Sequence, residues 1–378
     1  MEIPLHHRPQ ERESLREGLE AGTSILMLAP RRVGKTWLMG KIEEDMAEHG
    51  WLCISIDLQG KTKEEEFLRE LCQRIEESQG LKTRSVNQLK QRFSQAMASV
   101  GEGNLADAVG KIDHREFLET LIESLNGGDK PALILIDELA LFIQALIKRD
   151  ADQAKSLLYH LRKQIHAYPN VRWFLTGSVG LDAIARQHGM EGGILGIDPV
   201  PLEPFTVAEA ESFVEELFGR MPEKRCFTFT DGAFDHLTGE VGWLSPYHID
   251  QVVKLIRPEG NPRKASVEAV EAAFCRILEP SRRLHFSPWV EHIKKNYPAA
   301  ETQLMAGILD ILCETTKGET EATILTKLQK PLGKAPGGRP FKDALIALKS
   351  DAYVTRVGES WRFRSGLLRR FWLEYHRS

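Results

Sequence analysis

Cysteine is scarce in this chain: five in 378 residues, at Cys53, Cys72, Cys226, Cys275 and Cys313, with no C-x-x-C spacing among them. That removes the sequence signature of a zinc site or a disulfide framework and leaves buried free thiols as the reading. Long apolar runs are missing too. No stretch approaches the roughly 18 apolar residues of a membrane span, and no N-terminal stretch follows the signal-peptide plan, so the sequence predicts a cytoplasmic protein with no membrane partner. Internal repeats and low-complexity tracts are absent. Net charge is only -4, but it is unevenly spread: from Ser281 onward 17 Lys+Arg stand against 10 Asp+Glu, a net of +7, and the rest of the chain carries -11. A hydrophobic share of 42% at this length gives room for two or three domains, each with its own core.

What is present is alternation. "ERESLREGLEAG" reads as a charged amphipathic helix and "SILML" as a short strand, followed by a glycine-bearing loop and a second helix. "WLCISIDL", Trp51 to Leu58, is a second strand. Charge-rich helical sequence runs from about Lys61 to Leu125, with a loop near "SVGEGN". "PALILIDELA" has the unbroken apolar character of a strand buried on both faces of a parallel sheet. After the helix "DQAKSLLYHLRKQI" comes a fourth strand, "VRWFLTGS". Strands alternating with helices predict a doubly wound α/β domain with a parallel sheet over residues 1–200. From "PVPLEPFTVAEAESFVEELF" the pattern turns helical and gives a second domain at 201–280. The proline-marked stretch 281–300 reads as a linker. Residues 301–378 hold helices at "ETQLMAGILDILCET", "TEATILTKLQ" and "RPFKDALIALKS", then the hairpin "AYVTRVGESWRFRS" turning at Gly358, the order of a winged helix.

The chemistry concentrates at "LAPRRVGKTWL", Leu28 to Leu38. Of the phosphate-loop pattern G-x-x-x-x-G-K-[ST], Gly34, Lys35 and Thr36 are present and the first glycine is Ala29, whose methyl group is a mild obstruction. Strand, loop and helix are the context such a loop needs. Backbone N–H groups of Ala29, Pro30, Arg31, Arg32, Val33, Gly34, Lys35, Thr36 and Trp37, proline excepted, and the positive helix end can surround phosphates. Lys35 neutralises the β- and γ-oxygens, and Thr36 offers a hydroxyl to Mg²⁺. "LILIDE" then sets Asp137 and Glu138 at the end of an apolar strand, where α/β sheets collect ligand groups. Asp137 is suited to hold Mg²⁺ through its water shell and Glu138 to polarise an attacking water. The alternative is that these acids only cap a helix.

Together with "WFLTGSVGL", "VPLEPFTVAEA", "GWLSPYHID" and "YVTRVGESWRFRSGLLRRFWLEYH", these segments resemble the AAA+ and STAND-like P-loop ATPases of prokaryotes, specifically the archaeal-type family with a double-arginine loop. The resemblance spans nearly the whole chain. It implies an ATPase core, a helical lid and a C-terminal winged helix, with ATP and Mg²⁺ as cofactors. It also implies Thr176 and Ser178 as sensors of the γ-phosphate or water, and Pro246 and His248 as lid residues beside the nucleotide. ATP is favoured over GTP, since no Asn-Lys-x-Asp motif occurs. "GILGIDPVPLEPF" lacks the arginine many relatives carry there, which leaves Arg186 as the nearest substitute for an arginine finger. Two readings of the whole compete: an ATP-hydrolysing switch, in defence or DNA transactions, and a DNA-binding regulator that uses nucleotide only to sense or assemble. For the tail, Arg339, Lys342 and Lys349 on the third helix and Arg356, Arg362 and Arg364 on the wing suggest double-stranded DNA. A protein partner or self-association is the other outcome.

Overall fold

The computed structural model describes residues 4–30, 32–77, 114–177, 181–332 and 338–376. It forms two compact units, His7–Glu203 and Pro204–Ser378, the latter including the first six residues.

The first unit runs through α1 (Pro9–Glu20), β1 (Ile25–Leu28), α2 (Lys35–Glu48), β2 (Leu52–Asp57), α3 (Glu64–Glu77), α4 (His114–Asn126), β3 (Ala132–Asp137), α5 (Leu139–Ile147), α6 (Ala151–Ala167), β4 (Val171–Gly177), α7 (Leu181–Gln187) and β5 (Asp198–Pro201). Among the described residues its strands form one parallel sheet in the order β2-β3-β4-β1-β5. β3 is buried at every position, as its unbroken apolar sequence predicts. Ile54, Ile56, Ile134, Ile136, Trp173 and Leu175 join the helices in one core. The loop expected near residues 99–104 lies outside the described residues.

Strand β5 was not foreseen. Its sequence, Asp-Pro-Val-Pro, reads as a turn, and a strand with alternating prolines survives only at an edge. The register shows why it survives here. The Asp198 N–H donates to the Ser24 carbonyl at 3.0 Å, toward β1. Pro199 and Pro201, one residue out of phase, put their missing donors on the outer side.

The second unit contains α8 (Val207–Arg220), β6 (Thr228–Phe229), α9 (Ala233–Val241), α10 (Pro246–Val253), β7 (Lys264–Ala265), α11 (Val267–Ile277), α12 (Ser287–Asn296), α13 (Ala299–Cys313), β8 (Glu319–Thr320), α14 (Glu321–Leu332), α15 (Gly338–Ser350), β9 (Val354–Val357), β10 (Ser360–Phe363) and α16 (Gly366–Tyr375). α8 opens with a reciprocal capping box between Thr206 and Glu209. From α13 onward, helices pack with an antiparallel sheet of order β8-β10-β9, in which β8 is a strand the sequence did not reveal. The stretch 281–300 is not a loose linker. Pro288 occupies the first turn of α12 and Pro298 is the N-cap of α13, so its prolines start helices. Phe286, Trp289 and Ile293 are buried, and the Tyr353 hydroxyl donates to the Trp289 carbonyl.

Candidate active site

Parallel strands bring their C-terminal ends to one edge of the sheet, and β4 lies between β1 and β3 there. After β1 the chain turns through Ala29 to Gly34 into α2. Gly34, the N-cap of α2, has φ 97°, a left-handed conformation that favours glycine. Val33 is fully buried. Lys35 is 5% exposed, and its ammonium folds back to donate to the Ala29 carbonyl at 2.7 Å and the Pro30 carbonyl at 2.8 Å. A buried charge needs such acceptors, and these are backbone atoms, invisible to a reading of side chains.

The Ala29 substitution has a structural answer. Among the described residues the non-glycine positions with positive φ are Arg8, Arg32, Glu138 and Ala352, so Ala29 is under no such constraint, and its methyl group is buried. Ala29→Gly is therefore expected to leave ATP affinity unchanged or slightly higher and to lower stability by about 0.4–1 kcal/mol through the more flexible unfolded chain. Calorimetric titration and thermal melting check both; a large loss of affinity would show that the methyl group shapes the loop.

Asp137 is the hub. It is 4% exposed at the end of β3. One carboxylate oxygen accepts the Thr36 hydroxyl at 2.6 Å; the other accepts the Thr176 hydroxyl and, at 2.9 Å, the Glu138 N–H. One side chain thus ties the first turn of α2 to the ends of β3 and β4. A carboxylate receiving three donors is held in a fixed orientation. Thr176 itself is fully buried.

Glu138 occupies the N-cap position of α5, yet its side chain makes no capping bond and its backbone sits at φ 57°, ψ 31°. An ordinary capping acid has extended backbone and accepts an N–H of the first turn. The helix-cap alternative therefore does not describe this residue. Left-handed backbone costs a non-glycine residue about 1–2 kcal/mol, a strain that commonly gathers at functional positions.

The donor set fits Mg²⁺ and a polyphosphate. Mg²⁺ takes hard oxygen ligands, keeps several waters and binds through one or two carboxylates with substrate phosphates; a hydroxyl 2.6 Å from a buried carboxylate offers that chemistry beside the Lys35 ammonium.

Other predicted residues are less central. Arg31 and Ser178 lie outside the described residues. Trp37 is 38% exposed, with the His7 ring centroid 5.1 Å from its own. Pro246 starts α10. His248 is 1% exposed, its ring stacked near Phe286 and Trp289 inside the second unit, so it serves that core rather than a surface. Arg186 belongs to α7 of the first unit. In the tail, Arg339, Lys342 and Lys349 are exposed on α15. The wing arginines do not share a face: Arg356 pairs with Trp361 and Arg362 with Thr355, which puts them on opposite sides of the hairpin. Arg364 leaves the wing to lie over the Trp243 ring, 5.8 Å from its centroid.

No family model matches the sequence, and neither does any curated protein. Solved structures are similar along nearly its full length. The Walker-type ATPase paby2304 of Pyrococcus abyssi shares 18% identity over 96% of this chain and 95% of its own, with a TM-score of 0.62. The Aeropyrum pernix ORC2 protein, in ADPNP-ADP complexes, shares 14% identity over 99% of this chain and 94% of its own, with a TM-score of 0.59. At these identities the likeness is one of architecture. The chain has the fold of a P-loop ATPase, a parallel-sheet α/β core followed by helical and C-terminal domains.

Proposed function

We propose that this protein binds ATP with Mg²⁺ at the loop from Ala29 to Trp37 and hydrolyses it slowly, as a cytoplasmic AAA+/STAND-like switch. In this reading the parts that work are a core to about residue 200, a lid to about residue 280 and a winged helix from about residue 301, as the sequence divides them. The observation that carries it is Asp137, fixed by Thr36, Thr176 and the Glu138 N–H.

The loop N–H groups and the α2 N-terminus bind the phosphates. Lys35 exchanges its two carbonyl acceptors for phosphate oxygens. Thr36 and Asp137 would hold the metal, which would neutralise phosphate charge. Thr176 keeps Asp137 from turning away. Glu138 orients the attacking water and takes its proton. "GILGIDPVPLEPF" carries no arginine and Arg186 is the nearest substitute, so turnover by the chain alone is slow, a completed arginine finger contributing on the order of 10³–10⁵ in rate. Titration with MgATP, followed by phosphate release with and without duplex DNA, tests the reading; a chain that binds neither ATP nor ADP refutes it.

For the winged helix the proposed partner is double-stranded DNA, supported by Arg339, Lys342 and Lys349, spaced three and seven residues apart on the exposed face of α15. Phosphate contacts make affinity fall steeply with salt. Lys342→Glu with Arg362→Glu is expected to weaken duplex binding and flatten the salt dependence in fluorescence anisotropy. No binding at about 50 mM salt, with or without ATP, leaves a protein partner or self-association as this face's role.

A further inference from the structure

We infer that the helical domain and the winged helix of residues 204–378 move as one rigid body, so that any nucleotide-driven displacement of the winged helix carries the lid with it. This rests on the switch reading above and specifies how its signal travels.

The first support is two glycines at one backbone crossing. Gly242 ends α9 with φ 66°, and a Cβ there would lie 2.8 Å from the Arg364 carbonyl oxygen. Gly366 starts α16, and a Cβ there would lie 2.6 Å from the Glu240 carbonyl oxygen. The end of α9 and the start of α16 therefore approach main chain to main chain from both sides. A contact that leaves no room for a methyl group on either partner cannot slide past larger neighbours.

Beside that crossing, Arg370 of α16 donates to the Glu271 carboxylate of α11 at 2.5 and 3.1 Å and pairs with Glu240 of α9 at 2.8 Å. One guanidinium thus holds three helices in register, in the planar two-pronged geometry suited to carboxylates. It is partly solvated, so its value is geometric more than energetic.

The covalent connection is also no strap. Phe286 stacks on Phe371 with centroids 4.6 Å apart, and Trp289 lies edge-on to Trp243 of the helical domain and Tyr353 of the winged helix, at 5.9 and 5.1 Å. Domains in one chain move relative to each other by default, unless their interface is large and apolar. Here the connecting segment is the apolar filling between them, and a close-packed interior of low compressibility transmits displacement rather than flexing.

The test uses the full chain with spin labels introduced by unnatural amino acids at Glu211 on α8 and Glu359 in the wing turn, both exposed. Pulsed dipolar spectroscopy is expected to give one narrow distance distribution without nucleotide, unchanged by ATP or ADP. Arg370→Glu, which sets a third carboxylate beside Glu240 and Glu271, broadens it, and Gly366→Val does the same if it folds. A broad or two-peaked distribution in the parent protein, a shift on adding nucleotide, or an Arg370→Glu distribution as narrow as the parent's overturns the inference. The nucleotide-free arm does not depend on ATP binding, so failure of the ATPase reading, seen by titration, stays distinct from failure of this one.

Discussion

Glu138→Gln is expected to bind ATP as the parent does and to turn it over about 10²–10⁴-fold more slowly, the usual contribution of a positioned general base. Glutamine keeps the length and one acceptor oxygen but cannot carry away a proton. The substitution also spares the architecture, because the Glu138 contact to Asp137 is made by its backbone N–H. Single-turnover phosphate release separates the outcomes. A variant as fast as the parent would show that the strained backbone at Glu138 serves another purpose.

Lys35→Ala is expected to lower ATP affinity at least tenfold, about 1.4 kcal/mol, while the protein stays folded. The ammonium is the charge aimed at the phosphates, and its present partners are two carbonyls of the same loop. Removing it leaves those carbonyls without their donor, so a small loss of thermal stability accompanies the loss of affinity. Equal affinity in titrations of parent and variant would remove the premise of a phosphate loop.

Much of this was legible in the sequence because the physics was local. Strands β1 to β4 announce themselves as apolar runs, and β3 as a run with no polar break. Gly34, Lys35, Thr36 and Asp137 could be named from spacing, and the structure brings Thr36 and Asp137 to 2.6 Å of each other. What escaped depended on partners distant in sequence. β5 exists because β1 supplies its bonds, which no inspection of Asp-Pro-Val-Pro discloses. Thr176 came only from resemblance, and its bond to Asp137 joins residues of different strands. The prolines near residues 281–300 mark breaks in either reading, and only packing against Trp243 and Tyr353 turns them into helix starts. The faces of Arg356 and Arg362 were hidden because hairpin register, not composition, decides which each occupies.

The prolines of β5 have a consequence for how this protein behaves when crowded or partly unfolded. At Pro199 and Pro201 the outward side of the strand presents carbonyl oxygens and no N–H groups. A strand joining that edge would find acceptors for its own donors and nothing to satisfy its carbonyls. Each added residue pair would leave an unmet polar group as soon as water was expelled. Growth of the sheet is thereby halted chemically on this flank; among the described residues the opposite flank is β2.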